Sequence, residues 1–131
     1  SGQLMRLSAE RDAAQRMIET LNIKTASDKL SVSSLSGGNQ QKVVLGKWFL
    51  TEPRILLLDE PTRGVDVGAK REIYRVMSDF TRAGGAVIMI SSETDEVLGM
   101  ADRAVVMRDG RVAGELQRAE LSAERLLHLA A

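Results

Sequence analysis

Apolar residues recur along this chain with a helical period in some stretches and as short unbroken runs in others, and the changes between them mark out its elements. Ala14, Met17, Ile18 and Leu21 line one side of an amphipathic helix over 8–22, with Ser8 as its N-cap and Asn22 as its stop. Residues 24–34 are polar and predict a connection. A second helix is expected from Ser36 to about Thr51, burying Val44, Leu45, Trp48 and Phe49 and ended by Pro53. Ile55 to Leu58 is wholly aliphatic, as expected of a strand covered on both faces. Ile73, Val76, Met77 and Phe80 fall at i, i+3, i+4 and i+7 and predict a helix over 67–82, broken by Gly84-Gly85. Ala86 to Ile90 reads as a second buried strand and Asp95 to Ala101 as a short helix. Ala104–Met107 and Arg111–Glu115 flank Asp109-Gly110, a strong hairpin signal, and a last helix spans Ser122 to Leu129.

Strand, helix, strand, helix, hairpin is the order of the back half of an α/β domain. The chain's 131 residues are one domain's worth, with no internal repeat or low-complexity segment. Its 18 basic and 18 acidic residues cancel, so no polyanionic partner is implied. Aromatics make up only 3% of the chain, too few for base-stacking platforms, and no nucleic acid is expected as partner. Without cysteine there are no disulfides or thiolate metal sites. No apolar run approaches the ~20 residues that span a bilayer. Ser1-Gly2-Gln3 has neither an initiator Met nor a basic-then-apolar leader. The expectation is a soluble piece from the middle of something longer.

Two clusters carry chemistry. Ser36-Gly37-Gly38 at a helix start offers free backbone N–H groups and the positive end of a helix dipole, and glycine lets backbone approach an anion closely. The same tripeptide is also an ordinary turn and cap, but Asn39-Gln40-Gln41 adds hydrogen-bonding groups that a plain cap does not need. Asp59 and Glu60 stand at the C-terminal end of a strand, where open α/β sheets bind ligands. Asp59 suits Mg²⁺, a hard cation that prefers oxygen. Glu60 would reach towards a water attacking a terminal phosphate. His128, the single histidine, has no partner ligands near it in sequence and reads as a surface residue.

With these residues in hand, the chain resembles the C-terminal portion of an ATP-binding-cassette ATPase over roughly residues 30–115. Leu35-Ser36-Gly37-Gly38-Asn39-Gln40 is similar to the family's signature motif, Ile55 to Glu60 to its Walker B strand and following glutamate, and Gly64-Val65-Asp66 to its D-loop. The variant Ser-Gly-Gly-Asn-Gln-Gln-Lys, with Asp-Glu-Pro-Thr-Arg-Gly-Val-Asp, most resembles the second cassette of tandem ATPases from bacterial monosaccharide importers. The resemblance implies a partial P-loop NTPase of RecA-like α/β core. Residues 1–52 would be a remnant of the helical signature subdomain and 53–131 the C-terminal half of the core. It implies that Ser36, Gly37 and Gly38, with Gln40 beside them, face the γ-phosphate of ATP on the opposite cassette of a head-to-tail dimer. Asp59 would organise Mg²⁺, Glu60 would polarise the attacking water, and Asp66 would couple the two sites. Membrane permease subunits, and indirectly a periplasmic sugar-binding protein, would be the other partners, with the protein peripheral on the cytoplasmic face of the membrane.

Two departures qualify that picture. The family's switch histidine is replaced by Ser92, which carries no charge near neutral pH and reaches less far into a nucleotide site. Nothing fits the phosphate loop Gly-x-x-x-x-Gly-Lys-Ser/Thr, and Gly46-Lys47-Trp48 lacks both the first glycine and the hydroxyl. Alone, the chain is expected to bind ATP poorly and hydrolyse none. Two other readings stand beside this one. A cassette acting in DNA repair or translation would carry long coiled coils or basic inserts, neither of which is visible. A stand-alone interaction module would have to manage an exposed sheet edge.

Overall fold

The computed structural model describes residues 7–131. They form α1 (Leu7–Thr20), a short 3₁₀ turn (Val32–Ser34), α2 (Gly37–Phe49), β1 (Ile55–Asp59), α3 (Val67–Arg82), β2 (Ala86–Ile90), α4 (Thr94–Met100), β3 (Arg103–Arg108), β4 (Arg111–Gln117), a second 3₁₀ turn (Arg118–Glu120) and α5 (Ala123–Ala130). Contacts divide the chain into two compact units, Ser1–Met89 and Ile90–Ala131.

In the first unit the helix ends follow from local chemistry. Asn22 and Gly84 both take left-handed backbone, at φ 49° and 98°. Behind each, the chain closes the helix with paired bonds: Asn22 N–H to the Glu19 carbonyl and Ile23 N–H to that of Ile18, then Gly84 N–H to Thr81 and Gly85 N–H to Phe80. These are Schellman closures, which satisfy the last free carbonyls of a helix. Gly85 is needed for a second reason: a Cβ there would meet the Phe80 ring at 2.3 Å. That ring stacks on Phe49 at 5.5 Å between centroids. Asp66 starts α3 by accepting from the Ala69 amide at 3.0 Å. Ser8 lies inside α1 rather than capping it, because the helix is already formed at Leu7.

Leu21, Ile23, Leu45, Leu56, Leu58, Ile73 and Met77 make the core of this unit. Two expectations about burial are corrected. On α2 the face turned inward carries Gly38, Lys42, Leu45 and Gly46, so Val44 and Trp48 lie outside, Trp48 at 59% exposure. β1 and β2 are adjacent strands covered on one face only. Leu56 and Leu58 are buried, while Ile55, Leu57, Ile88 and Ile90 stand in solvent, Leu57 at 73%. Within the first unit no described element covers that second face, which is why an aliphatic run reads as buried in sequence and is half exposed in the structure.

The second unit is a hairpin with helices packed on it. β3 and β4 pair antiparallel from Arg103↔Gln117 to Arg108↔Arg111, with a bulge between Val106 and Met107. Asp109 and Gly110 both adopt positive φ, 51° and 73°, as a tight two-residue hairpin turn requires. Ala104, Val106, Leu116 and Leu126 form its core, with Val97, Leu98, Leu121 and Leu129 against them. Arg118 ties the end of α4 to the hairpin, donating to the Leu98 and Ala101 carbonyls at 2.6 and 3.0 Å. Ser122 caps α5 by accepting from the Arg125 amide at 3.2 Å, and His128 is exposed on that helix, as the sequence suggests.

Candidate functional site

Ser36 stands at the N-cap of α2 in extended backbone but makes no capping bond with its side chain. Its Oγ instead accepts from Asn39 Nδ2 at 2.8 Å. The helix therefore opens without a side-chain cap, and its first N–H groups keep the partial positive charge of a helix start. Asn39 does two jobs, since its Oδ1 also accepts from the Lys24 amide at 2.9 Å. Gln40 Nε2 donates to the Leu35 carbonyl at 2.8 Å, fixing the turn before the helix. The Asn39 and Gln40 side-chain amides thus help hold the turn in shape.

The two glycines differ. Gly37 is exposed, whereas Gly38 is buried against α3. A Cβ on Gly38 would lie 2.3 Å from the Cβ of Ala69, far inside contact distance. Ala69 sits in the first turn of α3, immediately after the Gly64–Asp66 loop. The structure therefore brings Ser36–Gly38 and Gly64–Asp66 side by side within one unit.

Below that contact lies a group that sequence reasoning missed. Lys42 is 1% exposed and donates through Nζ to Glu72 Oε2 on α3 and to the Asn22 carbonyl at 2.9 Å. Gly38, Lys42 and Leu45 fall at i, i+4 and i+7, so the helical period could have flagged Lys42 as inward-facing. What hid it was its charge. The Lys42 hydrogen bond holds the Glu72 carboxyl below its ordinary range; burial opposes this, and the charges of Lys42, Lys24 and Arg75 reinforce it. A carboxylate depressed in the folded state adds stability that is complete above its unfolded value of 4.5 and is lost as pH falls through the lower folded value. Urea midpoints measured from neutral pH down to about pH 3 should therefore fall more steeply for this chain than for a Glu72→Gln variant. Parallel curves would rule out the link.

Asp59 closes β1 and is exposed; Glu60 follows it, half-buried, with φ 48°. Left-handed backbone is uncommon for glutamate and is held here by the tight turn in which Arg63 N–H bonds the Glu60 carbonyl at 3.1 Å. Pro61 and Thr62, fully buried, anchor that turn from below. No three of His, Cys, Asp and Glu gather into a metal cage among the described residues. A solvent-facing Asp59 at a strand end nonetheless fits Mg²⁺ held in the usual way, by one or two carboxylates and phosphate oxygens. Ser92 lies exposed between β2 and α4 in the second unit. No described helix is long and apolar enough to cross a membrane.

Comparison with known proteins places this geometry. The family described as ABC transporter matches residues 3–63. The ribose import ATP-binding protein RbsA of Oceanobacillus iheyensis is 55% identical over 118 residues, 90% of this chain and 24% of that protein. The galactose/methyl galactoside import ATP-binding protein MglA of Pasteurella multocida is 55% identical over 117 residues, 89% of this chain and 23% of that protein. The chain thus spans about a quarter of the length of the curated relatives it matches. Among solved structures, MJ1267, an ATP-binding cassette of an ABC transporter, superposes at a TM-score of 0.79 with 25% identity, over 98% of this chain and 52% of that one. The mixed α/β fold is that of part of an ATP-binding cassette.

Proposed function

We infer that this chain is a portion of an ATP-binding-cassette protein of the ribose- and galactose-import type, carrying the signature turn, the Walker B carboxylates and the D-loop. Residues 1–52 would be what remains of the helical subdomain and 53–131 the second half of the nucleotide-binding core. The observation that carries this reading is the exposed Asp59 at the end of β1 followed by Glu60 in left-handed backbone, in a chain 55% identical to a ribose import ATP-binding protein. The relatives' names favour import over DNA repair or translation, and over a stand-alone interaction module.

The chemistry is hydrolysis of ATP to ADP and phosphate. Glu60 orients the attacking water and accepts its proton as the new O–P bond to the γ-phosphate forms and the bond to the bridging oxygen breaks, releasing ADP. Asp59 holds Mg²⁺, which when bound neutralises charge on the phosphate oxygens. The open start of α2 presents Ser36, Gly37 and Gly38 to the γ-phosphate of ATP carried by the opposite cassette, with Gln40 shaping that turn from behind. Asp66, already engaged as the α3 cap, acts through its loop rather than as a free carboxylate. Ser92, standing where the family has an imidazole, would offer no ring nitrogen to the γ-phosphate. Permease subunits and a periplasmic sugar-binding protein complete the assembly, and the protein works on the cytoplasmic face of the membrane.

Titration of MgATP into the chain alone, followed by calorimetry, should give no heat at micromolar concentrations. A chain extended to include a phosphate loop should bind. Micromolar affinity in the chain alone would refute the division of labour proposed here.

A further inference from the structure

The turn that opens α2 and the loop that opens α3 are joined at two levels. At the first, Gly38 packs on Ala69, and the position of a Cβ on Gly37 lies 3.7 Å from the Gly64 carbonyl oxygen. Ala69 in turn donates its amide to Asp66 Oδ1, so the cap of α3 and the packing glycine of α2 meet on one residue. The second level lies one helical turn further along each helix, where Lys42 meets Glu72. Contacts repeated one turn apart on both helices fix their separation and also their rotation about each other. The Asn22 carbonyl gives Lys42 a second anchor, on the residue that ends α1.

We propose that Lys42 and Glu72 are positioning residues that lock the Ser36–Gly38 turn and the Gly64–Asp66 loop into one rigid surface, presented to a phosphate-bearing ligand as a unit. An apolar pair of similar volume would fill the same space but would let the helices slide, whereas directional bonds from one ammonium to two elements do not. The charged groups facing Glu72 are Lys42 on α2, Lys24 in the connection before it and Arg75 on α3. The identity of the ligand rests on the function proposed above; the rigid coupling does not.

Amide hydrogen exchange on the nucleotide-free chain tests the coupling. Three bonded amides report on the two turns: Gln40 to the Ser36 carbonyl at 2.9 Å, Ala69 to Asp66 Oδ1 at 3.0 Å, and Lys70 to the Asp66 carbonyl at 2.9 Å. Glu72→Gln keeps an acceptor for Lys42 and removes the charge. It should speed exchange at all three amides together, by about tenfold, while amides around the buried Met77 in the same helix hold their rates. Acceleration confined to Ala69 and Lys70, or an equal acceleration of every amide, would overturn the proposal. If Glu72→Gln does not fold, Lys42→Arg serves instead. It keeps the charge but changes the spacing, and should displace the three amide resonances together. Independent shifts would again count against coupling. No nucleotide enters the measurement, so a failure of ATP to bind any longer chain would leave its result standing.

Discussion

Glu72→Ala should destabilise the chain by about 3–5 kcal/mol, whereas Lys42→Met should cost only about 1–2 kcal/mol. The asymmetry follows from where each charge sits. Removing Glu72 leaves an ammonium whose side chain is 2% exposed in the intact chain, with the Asn22 carbonyl left to bond. Removing Lys42 leaves a carboxylate whose side chain is 36% exposed and can turn towards solvent, while the methionine fills the space of the lysine stem. Urea unfolding would measure both through the midpoint, provided the slope is unchanged. Equal costs, or a negligible cost for Glu72→Ala, would mean that the ion pair is not the buried contact described here.

Glu60→Gln should lower ATP hydrolysis about 10²–10⁴-fold in a chain extended to include the phosphate loop, with ATP affinity changed only a few-fold. Glutamine keeps the size of the side chain and its hydrogen-bonding reach, so it preserves the turn after β1. On the function proposed above, it removes the negative charge that would draw a proton from the attacking water, an interaction made chiefly in the transition state. A single-turnover assay separates the two effects by reading bound ATP and released phosphate from the same sample. Retention of near-normal turnover would remove Glu60 from the chemistry and leave its left-handed backbone as a feature of the turn alone.

Much of this architecture was legible from local rules. Asn22 and Gly84-Gly85 end their helices where the sequence says, because left-handed backbone at a helix end is a property of residue type. Asp109-Gly110 turns the hairpin for the same reason. The candidate residues were legible as types, too: a Ser-Gly-Gly turn and two carboxylates ending a strand. What hydropathy could not give was the inner face of α2, although the spacing of Gly38, Lys42 and Leu45 pointed to it. Hydropathy favours Trp48 inside and Lys42 outside, and the structure reverses both. Lys42 is inside because a partner 30 residues away neutralises it, and no pattern within one helix reveals that partner. Nor does the sequence reveal that the missing side chain of Gly38 makes room for Ala69 of α3.

The uncovered face of β1 and β2 has a thermodynamic consequence. Ile55, Leu57, Ile88 and Ile90 are already more than half exposed in the native chain, so unfolding adds less to their contact with water than it would for buried side chains. The heat-capacity increment of unfolding arises chiefly from newly wetted apolar surface, and for 131 residues it would ordinarily be about 1.6–2.0 kcal/mol/K. This chain should fall below that value, which scanning calorimetry would read directly. Its stability curve should be correspondingly flat, with a shallow maximum and a gradual approach to both the cold and the hot limits of folding.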